Sequence, residues 1–125
     1  MRSLPFTIEN LNGGFMKVEG ILRVEGEYLV FEYQKKDAVV EAYQSELRTE
    51  KIPISELDML EFKKGWFSGK LILHGKRASS FGDLPGKELT ERVLKVKRKH
   101  RNTAASISSN LNLKLSEQKL NELED

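Results

Sequence analysis

The sequence predicts a mainly β domain with one C-terminal helix: a small antiparallel barrel of six to seven strands capped by an amphipathic helix. Three observations predict it. Short runs of alternating apolar and polar residues recur along residues 15–99, separated by Gly, Pro, Asn or Asp. The stretch 47–75 holds two such runs joined at Lys63-Lys64-Gly65-Trp66-Phe67-Ser68-Gly69, with a third run leading in. Beyond residue 101 the apolar spacing changes from two to the helical period.

The elements follow in order. Phe6 and Ile8 mark a short edge strand at about 6–9, ended by the breaker Asn10-Leu11-Asn12-Gly13-Gly14. The run 15–25 places Val18, Gly20, Leu22 and Val24 on one face and Lys17, Glu19, Arg23 and Glu25 on the other, with Ile21 as the exception. Gly20 in mid-strand suggests a bend or bulge. Gly26 turns the chain into a partner strand at about 27–35, rich in aromatic and β-branched residues from Tyr28 to Tyr33. Residues 38–45 fit either the start of a strand or a loop. A strand at about 46–54 carries Pro53, which cannot donate to a ladder and so marks an edge or an end.

After a turn at 54–57, the strand at 58–64 points Leu60 and Phe62 inward, and the strand at 69–75 does the same with Leu71 and Leu73. Residues 75–90 are polar and broken by Gly82, Pro85 and Gly86, a surface loop with an apolar island at Phe81 and Leu84 expected to tuck under the barrel edge. The last strand, about 91–99, turns Leu94 and Val96 inward and Lys95 and Lys97 outward. Asn102 or Thr103 offers an N-cap. Ala104, Ile107, Ser108, Leu111 and Leu115 then form one stripe of a helix at about 102–116, which Leu120 and Leu123 can extend to 123. The whole reads as one domain, 1–125.

Composition narrows the classes. The chain has 125 residues and no cysteine, which excludes disulfides and thiolate metal ligands and fits a cytoplasmic setting. The first residues carry Glu9 and no long apolar run, so no signal peptide is expected, and no stretch reaches the ~20 apolar residues that span a bilayer. The formal net charge of +2 conceals a strong asymmetry. Residues 1–62 hold seven Lys/Arg against twelve Asp/Glu, residues 63–101 twelve against three, and residues 102–125 two against four. A division of this kind bears on partners and steering.

No chemistry-bearing constellation points to an enzyme. Ser79-Ser80 lies in no nucleophile elbow, the glycines match no phosphate-cradling loop, and the carboxylates are spread along outward faces. His74 and His100 stand apart in sequence from any metal-ligand spacing. The expectation is therefore no enzyme, no cofactor and no metal. The candidate binding residues are Lys63, Lys64, Trp66, Phe67 and Lys70 at the central tip, with Lys95, Lys97 and Arg98 of the last strand. A Trp-Phe pair flanked by lysines suits a membrane interface or a partner anchor. A lone Trp in a small domain is usually mostly buried, so folding over the barrel end is the expected arrangement. The run from Lys95 to Arg101, with Lys76 and Arg77 drawn in beside it, suits nucleic acid or an anionic membrane, although such runs are commonly only solvated faces.

Strands in a meander followed by one helix give the order of a pleckstrin-homology-like (PH-like) domain, and the sequence resembles a bacterial PH-like protein of unassigned function. The resemblance rests on Lys51-Ile52-Pro53-Ile54-Ser55-Glu56-Leu57, on Lys63 through Leu71, on Asp83-Leu84-Pro85-Gly86, and on Val93-Leu94-Lys95-Val96-Lys97-Arg98-Lys99 running into a helix. It covers roughly 15–115. Eukaryotic relatives often bind inositol phospholipids through a basic motif on the first two strands and their loop. Here that loop, Val24-Glu25-Gly26-Glu27-Tyr28, is acidic. The roles the resemblance implies are therefore peptide or protein binding and self-assembly. The expected function is a non-catalytic binding or scaffolding module that meets a protein partner or another copy of itself; the alternative is an anionic surface, lipid headgroup or nucleic acid, bound through 63–101.

Overall fold

Alternating apolar residues build seven antiparallel strands, and one stripe of a long helix covers what the sheet leaves open. The computed structural model describes residues 3–124; Met1, Arg2 and Asp125, the ends of the expected domain, lie outside the described residues. The strands are β1 (Ser3–Leu11), β2 (Met16–Glu25), β3 (Tyr28–Asp37), β4 (Arg48–Pro53), β5 (Leu57–Lys64), β6 (Ser68–Gly75) and β7 (Glu91–Lys97), followed by helix α1 (Arg101–Glu124). They form one sheet in the order β4-β3-β2-β1-β7-β6-β5.

The two edges, β4 and β5, are consecutive in sequence, yet no ladder joins them, so the sheet is open and "barrel" is a loose description. A single 3-10 turn, Ile54–Glu56, links them. It is tied to both halves of the sheet: Ile54 N–H donates to Glu27 O at 2.8 Å, and Lys76 N–H donates to Glu56 O at 2.9 Å.

The inward faces supply one core: Leu4, Phe6 and Ile8 from β1; Val18 and Leu22 from β2; Leu29, Phe31 and Tyr33 from β3; and matching residues from the other strands. Strict alternation of burial gives way in β3 and β6, where Val30 and Ile72 are buried between inward neighbours, and in β5, where Leu57 and Leu60 are both buried. A register irregularity between Leu57 and Met59 restores the phase.

Two expectations are corrected here. The short strand expected at 6–9 is a nine-residue central strand, not an edge. Leu4 extends its buried face past Pro5, and on the β7 side β1 pairs only at Thr7↔Lys95, so the proline interrupts no ladder there. Gly20 forms no bulge, because β2 keeps continuous register with β3. A Cβ there would collide with the Glu32 carbonyl and stand 3.0 Å from the Phe6 ring, so the glycine permits close approach instead.

The loop after β6 behaves as its composition suggests, with Phe81 and Leu84 fully buried. Arg92 fixes it from below: Nε donates to Leu84 O at 2.9 Å, and Nη1 donates to the carbonyls of Glu88 and Glu91. The guanidinium lies over the Phe81 ring at 4.7 Å, and burial pushes its pKa below the ordinary arginine value. Residues 38–47 form no strand; the carboxylate of Asp37 accepts from the N–H groups of Val39 and Val40 and turns the chain there.

Helix α1 buries Ala104, Ile107, Ser108, Leu111 and Leu115, the stripe read from the sequence. Its start differs from the expected side-chain cap at Asn102 or Thr103. β7 ends at Lys97, two residues before the expected boundary, and runs through a 3-10 turn, Arg98–His100, directly into the helix. The helix seals the β5 edge by one side chain. Asn112 accepts from Leu60 N–H at 2.9 Å and donates to Leu60 O at 2.8 Å, standing in for a neighbouring strand. Further along, Lys114 pairs with Glu27 at 2.9 Å and Lys119 with Asp58 at 3.4 Å. No helix among the described residues is long and apolar enough to cross a membrane.

Candidate functional site

The site is built where β5, β6, β7 and the start of α1 converge. Gly65 N–H donates to Ser68 O at 2.8 Å, closing a tight turn that leaves Trp66 and Phe67 as its two outer residues. Arg101, on the first turn of α1, donates from Nη1 to Gly65 O at 2.6 Å and holds the turn against the helix. Gly69 makes that approach possible. A Cβ on it would meet the Phe62 ring at 2.9 Å and the Arg101 Cγ at 3.3 Å.

The turn geometry overturns the expected burial of the aromatic pair. Trp66 is 78% exposed and Phe67 80% exposed. The rings touch each other edge to face, with centroids 6.4 Å apart, and do not fold back onto the core. Phe67 instead flanks a shallow groove of mixed charge, shared with Lys95 and Lys97 on one side and with Glu9, Lys17 and Glu19 on the other.

Strand pairing arranges the lysines around this tip. Lys63 lies opposite Lys70, and Lys70 opposite Lys95, so three lysines stand in one cross-strand row on the outer face. Opposed like charges on neighbouring strands are destabilising, and the fold offers no local compensation for two of them. Among the described residues, Lys95 reaches Glu9 at 3.4 Å, while Lys63, Lys64, Lys70, Lys97, Arg98 and Lys99 have no carboxylate within 4.0 Å. Lys97 lies opposite Ser68, so β7 ends beside the tip and delivers Arg98 and Lys99 to the same end of the molecule.

All eight candidate residues are therefore exposed and gathered at one end. Lys76 and Arg77 are not part of this group. They follow the far end of β6, about 25 Å of strand away at ~3.3 Å per residue, where Arg77 pairs with Glu56 at 3.6 Å. Arg101 was legible only as a member of the basic run, and its contact with Gly65 depends on a separation of 36 residues that no local pattern reports.

His74 has neighbours that sequence spacing does not show. Strands β5 and β7 bring carboxylates to both sides of it: Glu61 lies 2.6 Å from Nε2 and Glu91 3.8 Å from Nδ1. Among the described residues no group of three His, Cys, Asp or Glu side chains is arranged to hold a metal.

No protein-family model matches the chain, and neither the curated proteins nor the solved structures contain a match to it.

Proposed function

We propose that the protein is a non-catalytic docking module whose basic, aromatic end seats on an anionic lipid surface. One observation carries the reading: an indole and a phenyl ring, 78% and 80% exposed, stand on a tight turn beside a group of cations of which, among the described residues, only Lys95 has a carboxylate partner. Aromatic side chains are favoured at the interfacial level of a bilayer. Each Lys or Arg near an anionic leaflet contributes about 1 kcal/mol of attraction. The non-catalytic part rests on the sequence, where no nucleophile stands beside a base.

Lipid is favoured over nucleic acid because no aromatic residue is interleaved with Lys95, Lys97, Arg98 and Lys99, so β7 offers no stacking platform. We infer a PH-like domain from the runs 51–57, 63–71, 83–86 and 93–99. A second reading, binding of a protein partner or self-association, is favoured by Leu113, Leu120 and Leu123, which are exposed on the outer side of α1.

Co-sedimentation with vesicles tests the lipid reading. Vesicles rich in phosphatidylglycerol should retain the protein at low salt and release it as salt rises, because screening shortens the reach of the surface potential. Pure phosphatidylcholine vesicles should retain little. Absence of binding to the anionic vesicles at low salt would overturn the proposal.

A further inference from the structure

The aromatic end has a counterpart at the other end of the same helix. After Leu115 no residue of α1 is buried, and Leu120 and Leu123 are 59% and 83% exposed. Glu117, Glu122 and Glu124 surround them, with Lys119 as the only cation of that segment, itself held by Asp58. One end of the molecule thus presents Trp66 and Phe67 amid an excess of cations, and the other presents two leucines amid carboxylates. Apolar surface and charge are complementary between them.

The helix itself sharpens the polarity. Arg98, Lys99, His100 and Arg101 stand at its N-terminal end, whereas its first turn holds no acidic residue and its last turn no basic one. Both arrangements oppose the helix macrodipole and are mildly unfavourable for an isolated helix. The charges and the dipole add, giving a positive pole at Arg101 and a negative pole at Glu124.

The two ends cannot meet within one molecule. Helix α1 has 24 residues and spans about 36 Å at ~1.5 Å per residue. Arg101 is fixed to the tip at its start, and Lys119 is fixed to β5 near its end. A second copy is then the occupant that supplies both halves of the contact. We propose that this chain self-associates head to tail, the leucine-bearing acidic end of α1 in one copy seating on the Trp66–Phe67 end of the next. Such a contact is heterologous, so it propagates into a ring or an open chain of copies. It goes beyond lipid docking and uses the same tip, so a membrane and a second copy compete for it.

Sedimentation velocity without lipid tests this independently of any vesicle result. At low salt, where the Debye length is ~30 Å at ~0.01 M, the average mass of the full chain should rise with concentration past that of a dimer. Salt near ~0.15 M should weaken the association about tenfold, as interfacial charge complementarity is screened. Two variants remove opposite ends: Trp66→Ser with Phe67→Ser loses the tip, and Glu122→Lys with Glu124→Lys loses the negative pole. Each alone should be monomeric. The second should also melt no lower than the parent chain, since it corrects the helix charge pattern. Mixed together, the two variants keep one intact tip and one intact tail, and should form a 1:1 dimer that grows no further. A parent chain that stays monomeric at low salt would overturn the proposal, as would a mixture that stays monomeric or variants that associate as the parent does.

Discussion

The outer face of the sheet has two halves that treat charge in opposite ways. On β2 and β3, cations and carboxylates are interleaved and matched: Lys17 pairs with Glu41 at 2.9 Å, Lys36 with Glu19 at 3.3 Å, and Arg23 with both Glu25 and Glu32. On β5, β6 and β7, three lysines are aligned in one row, and only the last has a partner. Strand geometry is the same in both halves, and β-pairing itself does not require either pattern. The matched half stabilises the fold weakly and locally. The unmatched half costs stability locally and leaves its field directed outward, which is what a docking surface for an anion requires.

The difference can be broken from the side expected to show the largest effect. Replacing Lys63, Lys70 and Lys95 together with Gln should weaken binding to anionic vesicles about 100-fold, from ~1 kcal/mol per cation. Thermal stability should hold or rise slightly, since the opposed like charges are relieved. The same triple substitution made on the matched half, at Lys17, Arg23 and Lys36, should leave vesicle binding within about threefold and lower the melting temperature only slightly, because exposed ion pairs contribute little each. Vesicle titration and thermal melting of both variants make the comparison.

A mid-sized effect separates the charge pattern from the edge seal. Asn112→Ala removes the only side chain paired with the Leu60 backbone and strands one N–H and one C=O on the β5 edge. Leaving such groups unsatisfied costs about 1–3 kcal/mol, readable by urea denaturation. Vesicle affinity per folded molecule should stay unchanged.

The smallest effect is a pH dependence in the matched half. The hydrogen bond from Lys17 holds the Glu41 carboxyl below its ordinary range, and the same bond raises the Lys17 ammonium. A carboxyl lowered by folding contributes stability above its unfolded pKa, and that contribution is lost as pH falls through the folded value. A raised lysine contributes below its unfolded pKa, and that contribution is lost as pH rises through the folded value. The pair should therefore support the 38–47 loop across the neutral range and fail in acid below the carboxylate range. Glu41→Gln should flatten the acid limb of the melting curve slightly, and amide exchange at Val39 and Val40 should speed up.

Much of the fold was legible because burial follows the strand period. Val18, Leu22, Leu71, Leu73, Leu94 and Val96 all face inward as their alternation requires, and Ile21 is exposed as the odd member of its run. The helical stripe from Ala104 to Leu115 was legible for the same reason. Failures occurred where a long-range contact overrides a local rule. Gly20 looked like a bend or bulge, but the β2–β3 ladder runs through it unbroken, and the Glu32 carbonyl on the neighbouring strand, with the Phe6 ring, leaves no room for a Cβ. Asn102 and Thr103 looked like caps, but the helix follows the 3-10 turn directly and begins at Arg101, so both lie inside its first turn.

The residues of the candidate site could be named from the sequence, but their exposure and their shared position at one end could not be read from it. The tip residues and the basic strand could be named from the sequence, yet the general tendency of Trp to be buried pointed the wrong way for Trp66. The tight Gly65–Ser68 turn decides the matter, since its two outer residues have no route back to the core. The carboxylates around His74 come from positions 13 residues before and 17 after it, and only the pairing of β5 and β7 with β6 brings them together.

Trp66 is the only tryptophan of the chain, and its emission tests the central claim most directly. In buffer it should emit at the long wavelength of a solvated indole and be quenched freely by a soluble quencher. Adding phosphatidylglycerol vesicles at low salt should shift the emission to shorter wavelength and protect it from the quencher, and raising the salt should reverse both changes. An emission already blue-shifted in buffer, or one that anionic vesicles leave unchanged, would contradict the account.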